Sequence, residues 1–231
     1  NDSANGIAFS PNDLFSYADF IGLQWSKGLL GESGYRKYSN HNCEFVMDVG
    51  EIGPSYLPGH AHSDISNFEF RFKTLPFIVD TGTSTYENNK KRQIERSNES
   101  HNTIMINDIS QSEVWHSFRV GRRARITEFF EEKNIISVEH NGYKHFNIYH
   151  KRKFILNSSL ITIEDTLSES NLKNIKSFLH FHPDRNIKLL NDSIFIDDQV
   201  ELKFTNYSNL QIIEYDFSVG FNKTVIGKKV F

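Results

Sequence analysis

The sequence contains little cysteine and proline, no long apolar run and no strong net charge. Cys43 is the single cysteine among 231 residues, so no disulfide can form within the chain. The cysteine count therefore does not indicate whether the protein lies in an oxidising or a reducing compartment. The formal charge of −3 gives no reason to expect nucleic acid or an anionic membrane as a partner. No apolar stretch approaches the roughly 20 residues of a membrane-spanning helix. The first residues, NDSANG, show no initiator Met and no signal-peptide pattern. We therefore expect this sequence to be a piece of a longer protein.

Apolar and aromatic residues are plentiful, and they occur in short runs. Hydrophobic residues make up 38% of the chain and Phe occurs 20 times, which is enough for a packed core. From about residue 41, segments such as NCEFVMDVG, NFEFRFK and SLITIEDTL are separated by Gly, Asn, Asp and Ser at strand-and-turn spacing. This pattern predicts an all-β fold, a large antiparallel β-sandwich over residues 41–231. It also favours a buried structural role for the Cys43 thiol over a reactive one.

The segment before this region has a different pattern. PNDLFSYADFIGLQW predicts a short amphipathic helix that starts near Pro11. We therefore interpret residues 1–40 as a linker and short helical lead-in. The apolar side chains available for burial on it are Phe15, Ala18, Phe20, Ile21 and Leu23.

Ligand-capable residues concentrate in GHAHSD. His60, His62 and Asp64 alternate, and alternate residues of an extended chain point to one face, which suggests a site. Further along, His62, Asp80 and His101 would make a reasonable ligand set for Zn²⁺. Spacing alone leaves open that both histidines are buried hydrogen-bonding residues. A cupin metal site is disfavoured, because the Glu expected four or five positions after the second His is absent.

Residues 58–113 resemble the C-terminal domain of the heparinase II/III-like polysaccharide lyases. The family shows G-H-x-H-x-D, V-D-x-G-T-x-x-Y, an arginine-containing stretch, H-N-T and D-x-x-Q in this order. A looser similarity continues through HKRKFIL and LITIEDTL to LHFHP. The matching positions here are Gly59 to Asp64, Val79 to Thr83, Tyr86, Arg96, His101 to Thr103, and Asp108 to Gln111.

The resemblance implies a role for each of these positions. The sandwich would pack against an N-terminal α/α toroid, with an acidic, uronic-acid-containing polysaccharide cleaved by β-elimination in the cleft between them. His60 would be the active-site imidazole of this domain. A structural zinc ion would be bound by His62, Asp80 and His101, and Asp64 would orient one of these histidines or bond to the backbone.

Basic and aromatic residues near the motifs are candidates for substrate binding. Tyr86 is expected to line the cleft. The run NNKKRQIERS is either a solvated loop or, through Arg92 and Arg96, a binding surface for an acidic glycan.

The resemblance also implies that the catalytic Tyr, and an Asn or His that neutralises the uronate, belong to the toroid. We therefore expect this chain alone to be inactive. A periplasmic or extracellular location follows from the family only. The alternative function is a non-catalytic carbohydrate-binding or assembly module that keeps the metal site for stability.

Overall fold

The computed structural model describes residues 2–26, 28, 31–169 and 174–231. Over these residues the protein is built mainly of antiparallel strands, as predicted from the short apolar runs. The described residues include two α-helices, α1 (Pro11–Phe20) and α2 (Lys90–Arg96). Among the described residues, no helix has the length and apolar character needed to cross a membrane. The strands are β1 (Tyr35–Ser39), β2 (Cys43–Asp48), β3 (Phe68–Phe72), β4 (Leu75–Ile78), β5 (Ile104–Ile106), β6 (Val114–Trp115), β7 (Arg119–Val120), β8 (Ile126–Glu132), β9 (Ile135–His140), β10 (His150–Leu156), β11 (Ile161–Leu167), β12 (Ile175–Ser177), β13 (Leu179–Phe181), β14 (Ile187–Leu190), β15 (Ser193–Ile196), β16 (Val200–Lys203), β17 (Ile212–Gly220) and β18 (Lys223–Val230).

The strands form two larger sheets and three smaller ones. The first sheet has the order β1-β2-β3-β4-β13-β18-β17, and the second has the order β11-β10-β9-β8. A three-stranded sheet, β14-β15-β16, and the pairs β12-β5 and β6-β7 complete the fold. Strand β1 pairs along its whole length with β2, so the first sheet begins inside the segment interpreted from the sequence as a linker. The boundary at residue 41 stays a prediction.

The core lies between the inner faces of the two larger sheets. Phe45 on β2 and Phe68 on β3 meet Phe154 on β10, with ring centroids 5.7 and 6.1 Å from that of Phe154. All three side chains are at most 2% exposed. Fully burying a Phe stabilises a fold by roughly 1.5–3 kcal/mol relative to leaving it exposed, so these contacts hold the sheets face to face.

The helical lead-in forms where it was predicted, but its apolar side chains are not buried. Ser10 and Asp13 make a capping box, in which Ser10 Oγ accepts from the Asp13 backbone N–H at 3.2 Å. Pro11 occupies the first turn, where its missing N–H costs nothing. Phe20 is 84% exposed, and Phe15, Ile21 and Leu23 are exposed as well. Cys43, expected to be buried, is half-buried at the start of β2.

Candidate functional site

The GHAHSD segment is a loop between β2 and β3, not the extended strand that its alternation suggested. The two histidines consequently have different environments. The side chain of His60 is 67% exposed, whereas that of His62 is buried. The loop thus presents one imidazole to solvent and directs the next one inward.

Three ligand-capable side chains converge beneath this loop. His62, Asp64 and His101 each offer one ligand atom, and these atoms all lie within 4.8 Å of one another. Both ring nitrogens of His62 and Nε2 of His101 are buried without a hydrogen-bond partner. Buried polar atoms are rarely left unsatisfied, because each costs about 1–3 kcal/mol. Two imidazoles and a carboxylate with open nitrogen atoms fit a small divalent cation such as Zn²⁺.

Asp80 contacts His101 through the ring nitrogen Nδ1. Its Oδ2 is 2.7 Å from Nδ1 of His101 and accepts a hydrogen bond from Asn67 Nδ2 at 2.7 Å. Its Oδ1 accepts from the backbone N–H of Gly82, whose φ of +73° suits glycine at this turn. In this arrangement Asp80 orients the ring of His101, and Asp64 places a carboxylate oxygen within 4.8 Å of ligand atoms of His62 and His101. The ligand set of His62, Asp80 and His101 stays a prediction.

The charges of these groups follow from burial and from their partners. Burial lowers the pKa of His62 below its usual value, and the carboxylate of Asp2 only partly opposes this. His62 is therefore neutral near pH 7, the form that binds a metal. Burial also lowers the pKa of His101, but the carboxylate of Asp80 outweighs it and the net pKa is raised. Asp80 itself has a pKa well below its usual value, because His101 overcomes the effect of burial.

Asparagine side chains hold the loops around this cluster. Asn102 follows His101 and donates through Nδ2 to the carbonyls of Phe68 and Val79, at 2.7 and 3.0 Å. Its own backbone N–H donates to Oδ1 of Asn67 at 2.8 Å. The asparagine of the H-N-T motif thereby fixes the position of the histidine before it against the strands β3 and β4.

A second cluster lies next to the first, around Arg92. Helix α2 begins after Asn89, whose Oδ1 accepts from the Arg92 backbone N–H at 2.9 Å. The guanidinium of Arg92 is fully buried and forms two hydrogen bonds with the carboxylate of Asp2, at 2.5 and 2.8 Å. The same carboxylate lies 2.7 Å from Nδ1 of His60. The run NNKKRQIERS therefore forms a helix with a buried arginine, and the solvated-loop interpretation was wrong.

Aromatic rings enclose this second cluster. The guanidinium carbon of Arg92 lies 5.2 Å from the ring centroid of Tyr86 and 5.5 Å from that of Phe118, within the range of cation–π attraction. The rings of Tyr86 and Phe118 stack at 5.8 Å, and the ring of His60 lies 5.1 Å from Phe118. Tyr86 thus lies beside His60, with ring centroids 6.4 Å apart, and its place in a substrate cleft stays a prediction.

Arg96 has different contacts from Arg92. Its guanidinium is fully buried and donates to backbone carbonyls of residues 59, 61 and 115–117. It thereby ties the loop that carries His60 and His62 to the β6–β7 connection. Contact of Arg96 with a substrate stays a prediction, and the contacts seen here position the loop.

Sequence reasoning did not identify Asp2, Thr83 or Phe118 as parts of the site. Asp2 precedes Arg92 by 90 residues and has no surrounding motif that marks it. Thr83 belongs to the V-D-x-G-T motif, which gave no indication that its hydroxyl donates to Oδ1 of Asp2, at 3.1 Å. The close approach of Phe118 depends on the β6–β7 connection, which no short-range pattern specifies.

The fold and this site together define an antiparallel β-sandwich domain with a histidine-carboxylate cluster between its loops. The family described as heparinase II/III-like, C-terminal matches residues 24–224, and the chain belongs to this family. A search of curated proteins found no match.

Solved structures of lyases share the fold. A heparinase III, the BT4657 gene product, has a TM-score of 0.65 and 19% identity, over 95% of this chain and 36% of its own. The heparan sulfate lyase HepC from Pedobacter heparinus has a TM-score of 0.67 and 14% identity, over 95% of this chain and 38% of its own. The chain therefore spans a little over a third of the length of these proteins.

Proposed function

We propose that this domain forms one side of the active site of a polysaccharide lyase that cleaves uronic-acid-containing glycans by β-elimination. The family membership supports a lyase-related domain. The observation that carries the proposal is the convergence of the exposed His60 imidazole and the buried Arg92 guanidinium on one carboxylate. A uronate residue also presents a carboxylate, next to the carbon atom from which β-elimination removes a proton.

The chemistry assigns a task to each group. A base removes the proton α to the uronate carboxylate, and an acid protonates the departing glycosidic oxygen as the C–O bond breaks. Negative charge develops on the carboxylate, and donors placed there stabilise it. The imidazole of His60 contacts this carboxylate or transfers a proton. We propose that the catalytic Tyr, and an Asn or His that helps to neutralise the uronate, lie in a toroid domain of a longer protein.

The substrate class and location follow from the same proposal. Two of the similar structures are described as heparan sulfate lyase, which favours a glycosaminoglycan among the acidic polysaccharides. Polymers of this kind lie outside the cytoplasm, so we propose a periplasmic or extracellular location.

We also propose a structural zinc site at the buried cluster. His62 and His101 would provide nitrogen ligands, with Asp80 as the predicted carboxylate ligand and Asp64 as a second oxygen donor. When bound, zinc would hold the loops of the H-x-H and H-N-T motifs together and so fix the position of His60. Nδ1 of His62 and Nε2 of His101, which are buried without a hydrogen-bond partner, support this proposal.

Elemental analysis of the purified protein tests the zinc site. We expect about one zinc per chain, lost in His62→Ala and kept in His41→Ala, a control at an exposed histidine. Asp64→Asn and Asp80→Asn compare the two carboxylates, since the ligand is the one whose loss releases the metal. Protein purified without chelators that contains no zinc would refute the site and favour a non-catalytic carbohydrate-binding module.

Activity tests the role of His60 separately. In a protein that carries both domains, His60→Ala should lower the rate of unsaturated-uronate formation by at least about 100-fold, a typical contribution of acid–base catalysis. Tyr17→Phe, at an exposed position on α1, is a control that should keep full activity. A His60→Ala variant with unchanged turnover would contradict the assignment.

A further inference from the structure

The carboxylate of Asp2 is bound by donors on both of its oxygens. Arg92 donates to Oδ1 and Oδ2 in the two-pronged geometry that guanidinium groups form with carboxylates. The Thr83 hydroxyl donates to Oδ1 at 3.1 Å, and Nδ1 of His60 lies 2.7 Å from Oδ2. The side chain of Asp2 is only 3% exposed. Each oxygen therefore has two partners, and the set recognises a planar carboxylate.

Charge favours the same kind of ligand. The positive charge of Arg92 is fully buried, and its two hydrogen bonds to this carboxylate, at 2.5 and 2.8 Å, pair it with a negative charge. The group is thus bound as an anion. Oδ1 also lies 3.2 Å from Nε2 of His62, without the geometry of a hydrogen bond.

The donors are held in place independently of Asp2. Arg92 Nε donates to the carbonyl of Ser117 at 3.1 Å, and its guanidinium faces the rings of Tyr86 and Phe118. These contacts of Arg92 come from residues 86–118, whereas Asp2 precedes Arg92 by 90 residues. Arg92, which forms two of the bonds to the carboxylate, therefore has contacts that do not depend on Asp2.

The segment that carries Asp2 is weakly attached by comparison. Ala4 is buried and its N–H donates to the Tyr86 hydroxyl at 3.2 Å, and that hydroxyl donates to the carbonyl of Asp2 at 3.2 Å. Ser3 and residues 5–10 are exposed. Withdrawing the segment therefore uncovers little apolar surface, and the main loss is the set of bonds to the carboxylate.

We propose that Arg92, Thr83 and His60 form a subsite for a single carboxylate, which Asp2 fills from within the chain and which a carboxylate of an acidic sugar can take over. The identity of the sugar as a substrate rests on the proposed lyase function. The subsite itself does not, because it is defined by donors that bind any small carboxylate.

Chemical rescue tests this subsite. Asp2→Ala removes the occupant and leaves the Arg92 charge buried without a partner, so the thermal midpoint Tm should fall. Sodium acetate, at about five times its Kd, should then raise the Tm of the variant by roughly 2–4 °C over sodium chloride of equal ionic strength. The unsubstituted protein, whose pocket is filled, should show no such difference.

A matched variant separates pocket binding from a general salt effect. Asp197→Ala removes the carboxylate partner of Arg185, 2.7 Å away, at a pair remote from the candidate site. Acetate should not rescue Asp197→Ala, and equal rescue of both variants would overturn the proposal. If Asp2→Ala does not fold, Asp2→Ser has a short polar side chain that still leaves room for acetate, and it allows the same comparison.

Calorimetry with D-glucuronate provides the second measurement. Asp2→Ala should bind it, and Asp2→Ala combined with Arg92→Gln should bind at least tenfold more weakly. Binding of inorganic sulfate with equal or greater affinity would overturn the assignment to carboxylate, as would the absence of any binding to Asp2→Ala. These readouts involve no turnover, so glucuronate binding without lyase activity in the longer protein would refute the proposed function alone.

Discussion

Replacing Arg152 with Met removes a buried charge that connects the second sheet to the loops of the site. Arg152 on β10 is 1% exposed and forms two hydrogen bonds with the cross-strand Asp165, both at 2.8 Å. Its Nη1 donates to the carbonyls of Ser66, at 3.0 Å, and Asn102, at 2.5 Å. Met has a similar length but no donor, so the change leaves the carboxylate of Asp165, which is 25% exposed, and two carbonyls short of partners.

The expected loss can be worked out from these contacts. Removing one partner of a buried ion pair costs about 3–5 kcal/mol, because the other charge stays buried without compensation. His150 Nε2 lies 2.6 Å from Oδ1 of Asp165 and retains part of that compensation. Water also reaches the carboxylate of Asp165, so we expect the free energy of unfolding to fall by about 3 kcal/mol for Arg152→Met, the lower end of that range. The total for a domain is about 5–15 kcal/mol, so the variant should fold with little margin.

Urea unfolding measures this loss, and the adjacent residue provides the control. Lys153 pairs with Glu164 across the same two strands at 3.1 Å, but both side chains are 38–49% exposed. Lys153→Met should therefore cost at most about 1 kcal/mol. If the two variants differ in stability by less than about 1 kcal/mol, the buried pair does not have the structural role assigned to it here.

Two further predictions concern a histidine and the cysteine. Burial and the nearby charge of Lys229 lower the pKa of His180 to about 3. Only the unfolded chain then binds a proton as pH falls below about 6.5, so stability is full above that pH and declines below it. Between pH 6.5 and 4.5 we expect the free energy of unfolding to fall by about 2 kcal/mol more in the unsubstituted protein than in His180→Gln. Urea unfolding at both pH values measures the two losses, and equal losses would be inconsistent with a neutral His180. Burial also raises the pKa of Cys43, so its thiol should react with iodoacetamide at pH 7.5 several-fold more slowly than free cysteine, and unfolding in urea should abolish the difference.

The regular part of the fold was predictable from the sequence, whereas the irregular site was predictable only in part. Strands such as β10 follow from apolar alternation, because Phe154 and Leu156 point to the same side and are both buried. The loop around His62 carries no such period, and its shape depends on the buried Arg96 and on asparagines from other segments. Local patterns do not encode which distant groups will meet.

The sequence also did not show which of two aspartates, Asp64 or Asp80, would approach the two histidines. Family motifs point to Asp80, and its position after β4 does bring it to His101. Asp64 also approaches His62 and His101, which motif order did not indicate because Asp64 was expected only to support a histidine. Both carboxylates lie near the histidines because of the three-dimensional arrangement of the loops, which the order of motifs in the sequence does not specify.

Several buried polar and charged side chains link the second sheet to the candidate site through a continuous set of contacts. Arg152 bonds to the carbonyl of Asn102, the residue after His101, and His101 lies beside His62 with ring centroids 5.2 Å apart. His62 in turn approaches Asp2, which Arg92 binds. Each buried charge would be costly alone, and each has a partner in the next group. Because one side of this set is anchored in the second sheet and the other reaches the exposed His60, the sandwich core itself supports the geometry of the site.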